Sequence, residues 1–145
     1  MATLRDKIYG EMNWDDETFC WISFIENVPN EEFQICVYAE TPLDFLAVRN
    51  THQTYERLIG EISQIRHRAM REIIENNNRI SPKKRERRIV ANIIEKELKL
   101  GSIEIFDDLS ADVFFDSDIF DEGELIKAVI GANGEFLKAV VTEDF

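Results

Sequence analysis

The hydrophobic period of this chain switches twice, and that double switch is the strongest constraint on its fold. Apolar residues alternate with polar ones up to Ala39. They recur every three or four positions from Tyr55 onward, and they alternate again after Gly101. Alternation turns one side of a strand toward a core, whereas recurrence at three and four turns one stripe of a helix toward it. The first region reads as three strands. Residues 7–13 hold the short run Ile8-Tyr9-Gly10-Glu11-Met12, and Asp15-Asp16 marks a turn. Residues 18–26 are aromatic and β-branched with apolar groups on both faces, as in a central strand. Beyond the turn residues Asn27-Val28-Pro29-Asn30, Phe33, Ile35, Val37 and Ala39 alternate with Glu32, Gln34, Cys36 and Tyr38.

The middle region predicts two helices. Thr41 is placed to cap, Pro42 suits the first helical position and Asp44 completes a capping box. Asn50-Thr51 marks an interruption or restart. From there Tyr55, Leu58, Ile59, Ile62, Ile65, Ala69 and Ile73 form one stripe. Ser81-Pro82 opens the second helix, whose stripe is Ile89, Val90, Ile93, Ile94 and Leu98, with Gly101 as its stop. Four strands follow, at residues 102–106, 111–115, 125–130 and 135–141. The last two flank Asn133-Gly134, the strongest short hairpin signal. A two-residue turn there pairs Ile130 with Leu137, Ala128 with Ala139 and Ile126 with Val141, all on one apolar face. The order is βββ-αα-ββββ. It predicts an α+β fold, a mainly antiparallel sheet with two helices packed on one face, in one domain spanning residues 1–145.

Charge is segregated along the chain. Residues 49–99 carry 13 of the 17 bases and seven of the 29 acids, a net +6; the rest carries −18. The total of −12 argues against general binding to nucleic acid or an anionic membrane. No window approaches the length of apolar sequence that spans a bilayer, and the N-terminal residues lack the apolar stretch of a secretory signal. The expected compartment is the cytoplasm. There Cys20 and Cys36, on consecutive strands, read as two buried thiols.

No catalytic motif competes with this pattern. His52 and His67 lack metal-ligand spacing and read as surface or helix-flanking histidines. No nucleophile elbow, phosphate loop or dinucleotide fingerprint is present. Asp116-x-Asp118 begins like a calcium loop, but Phe120 stands where the third ligand belongs and Gly123 falls two positions late. No cofactor or metal is expected. The run Asp116, Asp118, Phe120, Asp121, Glu122 and Glu124 is instead the candidate partner-binding surface, an aromatic among carboxylates. The basic run Lys83 to Arg88 lacks the interleaved aromatics that stack on bases, so it reads as a solvated or intramolecular patch.

Tyr9-Gly10-Glu11 before Trp14, the strand Phe19-Cys20-Trp21, and the stretch from Leu98 to Asp118 resemble an uncharacterised bacterial domain family of unknown function. Its LxLxSIxI segment matches Leu98-Lys99-Leu100-Gly101-Ser102-Ile103-Glu104-Ile105. Its aromatic strand matches Val113-Phe114-Phe115, and its D-x-Phe step matches Asp118-Ile119-Phe120. Members often carry Gly-His after that step, where this chain has Gly123-Glu124. The layout is also loosely similar to immunity proteins of bacterial toxin systems. The leading reading is a non-enzymatic protein-binding domain whose acidic surface attracts a basic partner; the similarity to immunity proteins implies a basic toxin, neutralised by binding, as that partner. Two alternatives stay open: a small metal-dependent hydrolase using the carboxylates of residues 116–124, and a nucleic-acid binder using the basic helices.

Overall fold

The computed structural model describes residues 2–76, 98–116 and 124–142. Four strands come first: β1 (Thr3–Asp6), β2 (Gly10–Asp15), β3 (Cys20–Val28) and β4 (Glu31–Tyr38). Three helices follow, α1 (Phe45–Asn50), α2 (His52–Gly60) and α3 (Ile62–Asn76). Then come β5 (Lys99–Ile105), β6 (Ala111–Asp116), β7 (Leu125–Ile130) and β8 (Phe136–Thr142). All eight strands form one sheet in chain order, β1 to β8. Every neighbouring pair is antiparallel except β4 and β5, which run parallel because the helical segment carries the chain back between them. The fold is α+β, as the two switches of period predict.

The first region has four strands where three were expected. The run of residues 7–13 is strand only from Gly10 onward; β1 is an additional strand before it, and the turn between the two is held by Asp6. Its Oδ2 accepts from the backbone N–H groups of Ile8 and Tyr9, both at 2.9 Å. Gly10 then takes φ +76°, a conformation that only glycine adopts without strain. The turn between them sends Tyr9 into the core, where its carbonyl accepts from Ser23 Oγ at 2.7 Å.

The helical region also differs in detail. Asp44 is itself the cap of α1, its Oδ1 accepting from Ala47 N–H, while Thr41 Oγ1 accepts from Leu43 N–H. Thr51 separates α1 from α2, where the sequence placed an interruption. The stripe from Tyr55 to Ile73 lies on two helices, not one, with a break at Glu61 just after Gly60. Most of the second expected helix lies outside the described residues, but its expected end does not hold: Leu98 directly precedes β5, and Gly101 lies within that strand instead of stopping a helix.

The core lies on one face of the sheet. Cross-strand neighbours there are Trp14 and Trp21, Val37 and Ile105, Ile35 and Ile103, Val113 and Ala128, and Phe115 and Ile126. Val48, Tyr55, Leu58, Ile65, Ala69, Met70 and Ile73 from the helices join them in one cluster. Each fully buried large side chain contributes about 1.5–3 kcal/mol. Helix α3 also guards an edge of the sheet: Glu72 Oε1 accepts from the N–H of Ala139 on strand β8 at 3.0 Å.

The last hairpin keeps two of its three expected pairs, Ala128 with Ala139 and Ile126 with Val141. Ile130 pairs with Phe136 instead of Leu137. The turn is longer than two residues: Gly134 N–H donates to Gly131 O, and Gly131 N–H to Glu135 O, both at 2.8 Å. Of Asn133 and Gly134, only Gly134 has positive φ, at +85°. A bulge absorbs the extra length at Leu137, which is left 55% exposed.

Candidate functional site

The other face of the sheet carries the unusual chemistry. Alternation that sends Ile35, Ile103 and Val113 inward sends their neighbours Gln34, Cys36, Glu104 and Asp112 to the opposite face. Cys36 lies directly opposite Glu104 across β4 and β5, and Glu104 lies opposite Asp112 across β5 and β6. Tyr38 O–H donates to Glu104 Oε1 at 3.0 Å, and the Tyr38 ring stacks on Phe106 at 4.9 Å. Ile22, Val129 and Val140 are partly buried on this face, and Phe24 is 58% exposed. None of the buried residues on this face, Cys20, Cys36 and Phe114, belongs to the helix-covered core cluster.

Two carboxylates at directly opposed strand positions repel each other, and burial makes the repulsion worse. Burial lifts the carboxyl of Glu104 above its ordinary range; the Tyr38 hydrogen bond opposes that, Asp112 adds to it and Lys127 opposes it. Burial likewise lifts Asp112, against the pull of Lys127 and Lys138. The two cysteines lie on the same face, on diagonal positions of β3 and β4, and both are free thiols. Hydrogen bonding from Cys36 draws Cys20 down to about 7, against the effect of burial and with help from Thr18 Oγ1 at 3.0 Å. Cys36 is pushed up, first by sharing its proton with Cys20 and then by burial.

Comparison with known proteins finds no match. No family model, no curated protein and no solved structure matches this chain. The site must therefore be read from its own residues.

Of the residues singled out in the sequence, Asp116 is exposed at the end of β6, and Glu124 is buried just before β7 at 8% exposure. Asp118, Phe120, Asp121 and Glu122 lie outside the described residues, as does the basic run Lys83 to Arg88. Asp107 and Asp108 occupy the exposed β5–β6 turn, at the far end of β6 from Asp116. Asp112 sits between them, about 13 Å from Asp116 at the rise of a strand. Among the described residues no group of three or more His, Cys, Asp or Glu could hold a metal ion. No helix among them is long and apolar enough to cross a membrane.

His52 opens α2, a helix-flanking histidine as expected, and it is held by a carboxylate. Its Nε2 lies 2.8 Å from both carboxylate oxygens of Asp6, with only 14% and 10% of the two side chains exposed. His67 is exposed, as expected. Tyr38 and Glu104 were passed over because each sits in an ordinary alternating strand. Only the register that sets Glu104 against Asp112 makes the site visible.

Proposed function

We propose that this chain is a non-enzymatic protein-binding domain, and that the face of its sheet opposite the described helices receives a basic segment of another protein. The observation behind this reading is the Glu104–Asp112 pair. A like-charge pair at opposed positions, partly withdrawn from water, costs the free protein stability. Lys127 and Lys138 offset only part of that cost, since both carboxyls stay raised, and a partner's Lys or Arg would offset more of it; perturbed carboxyls cluster at working sites.

The surroundings fit the same use. Phe24, Ile22, Val129 and Val140 supply apolar contact area, while Tyr38 offers a ring with a polar tip. Asp107, Asp108 and Asp116 extend the acidic field to both ends of β6 and would speed encounter with a basic partner. A basic toxin that this domain neutralises is a partner of that chemistry.

The test uses wild-type protein and an E104Q/D112N variant as baits in the same lysate, followed by association kinetics with any protein that only the wild type retains. The reading requires a basic protein that is lost by the variant, with association that slows as salt is raised. Identical recovery by both baits overturns it.

A further inference from the structure

We propose that the cleft between the β1–β2 turn and the α1–α2 junction binds a small phosphorylated molecule with a planar ring, of nucleoside monophosphate size. This cleft is separate from the acidic sheet face, and the proposal stands apart from the protein-binding reading.

The cleft measures about 310 Å³, and Arg5, Lys7, Arg49, His52, Asp6 and Phe45 line most of it. Its charge runs against the rest of the protein. The chain has 29 acids and 17 bases, yet three cationic side chains meet here with one carboxylate. That carboxylate is already committed: Asp6 faces His52 Nε2 and accepts the N–H groups of Ile8 and Tyr9. Among the described residues, Arg5, Lys7 and Arg49 form no ion pair with any carboxylate. Three cations that no carboxylate neutralises repel one another, and an anion seated among them would relieve that repulsion. A phosphate monoester, doubly charged and rich in acceptors, matches three such donors.

The walls are held in place from behind. Tyr9 O–H and Thr51 Oγ1 are hydrogen-bonded at 2.6 Å, and the Tyr9 ring meets His52 edge-on at 5.4 Å and Tyr55 at 5.0 Å. The turn that carries Lys7 is thereby fixed to the helix start that carries His52. A site built this way loses little freedom on binding. Phe45 and Arg49 are one helical turn apart, so they share a side of α1. Phe45 rests against Trp21 at 6.3 Å and is 50% exposed, which leaves ring surface for a planar group.

Size and charge choose among phosphorylated ligands. The volume lies at the lower end of the roughly 300–1,000 Å³ of small-molecule sites, enough for one small ligand. A polynucleotide would extend beyond the cleft onto a surface of net charge −12, which repels a polyanion. A single phosphate on a ring-bearing molecule satisfies both limits.

Calorimetric titration with adenosine monophosphate, adenosine and inorganic phosphate tests this. Adenosine monophosphate should bind, inorganic phosphate should bind more weakly, and adenosine should not bind measurably. A K7Q/R49Q variant should weaken adenosine monophosphate by about tenfold or more, since charged hydrogen bonds are lost. F45L should weaken adenosine monophosphate and leave inorganic phosphate unchanged. Lys7, Phe45 and Arg49 are all exposed, and far-ultraviolet circular dichroism checks that each variant stays folded. No binding of adenosine monophosphate, equal binding by the K7Q/R49Q variant, or equal affinity for adenosine overturns the proposal. Equal affinity for inorganic phosphate and adenosine monophosphate overturns the ring contact and the ligand class with it.

Discussion

The guanidinium of Arg57 on α2 lies against Gly134 in the β7–β8 turn, so closely that a Cβ at position 134 would sit 2.7 Å from its Cζ and Nε. The helix and the hairpin are far apart in sequence, and folding sets this side chain directly over the turn. Replacing Gly134 by Val should be penalised chiefly by the positive φ, since the Arg57 side chain can swing aside. The expected loss is at least about 1 kcal/mol from backbone strain alone. Asn133→Ala should be close to neutral, because Asn133 keeps negative φ in this turn. Thermal melts of the two variants decide the matter: equal losses would mean that both residues need positive φ, as in a two-residue turn.

Glu104 should make stability depend on pH in an acid-favouring direction. Its folded-state pKa is raised, first by burial, so the fold binds the proton more tightly than the unfolded chain does. That contribution is complete below the ordinary value of 4.5 and is lost as pH rises through the raised folded value. Glu104→Gln keeps an acceptor for Tyr38 and has no charge to desolvate. The variant should melt higher than wild type at neutral pH by about 2 °C or more, and the gain should disappear in acid. A variant that melts lower at neutral pH would show that the carboxylate is satisfied in the free protein.

Cys20 should be the first of the two thiols to ionise, with a midpoint near 7, against an ordinary value of 9.0. The largest cause is the hydrogen bond from Cys36, so Cys36→Ala should move the Cys20 midpoint upward. Thiolate ultraviolet absorbance followed against pH reads this directly. An unchanged midpoint in Cys36→Ala would assign the shift to Thr18 instead.

Asp6 should matter more to the fold than its place near the N-terminus suggests. Asp6→Ala removes two backbone hydrogen bonds and the His52 contact together, and about 2 kcal/mol of stability should go with them. Asp6→Asn retains an acceptor for Ile8 and Tyr9 and should lose markedly less. Urea unfolding of both variants tests the ranking, and equal losses would place the whole effect in the His52 pair.

Much of the architecture is set by local physics. Period alone separates strand from helix, because one face must be apolar for each element to join a core. That logic places β3, β4, β6, β7 and most of β8, and it puts Ala128 opposite Ala139. Cys20 and Cys36 are buried on the strands where their neighbours put them. Local signals mislead where side chains compete with the backbone. Asp6 captures two N–H groups and turns the first residues of one apparent strand into a tight turn, and the backbone Gly131–Glu135 hydrogen bond lengthens a turn that Asn-Gly seemed to fix at two residues.

What the sequence by itself determined is the α+β class, the order of most elements and the apolar face of the sheet, since these follow from short-range periodicity. What only the tertiary structure decided is which residues from distant elements meet. Pairing β4 with β5 in parallel sets Cys36 against Glu104, and the β5–β6 register sets Glu104 against Asp112. The packing of Tyr9 on Thr51 brings Arg5 and Lys7 to Arg49 and His52. Charge along the chain carries no record of these meetings, because a carboxylate or a guanidinium acquires its role from the neighbours that folding gives it.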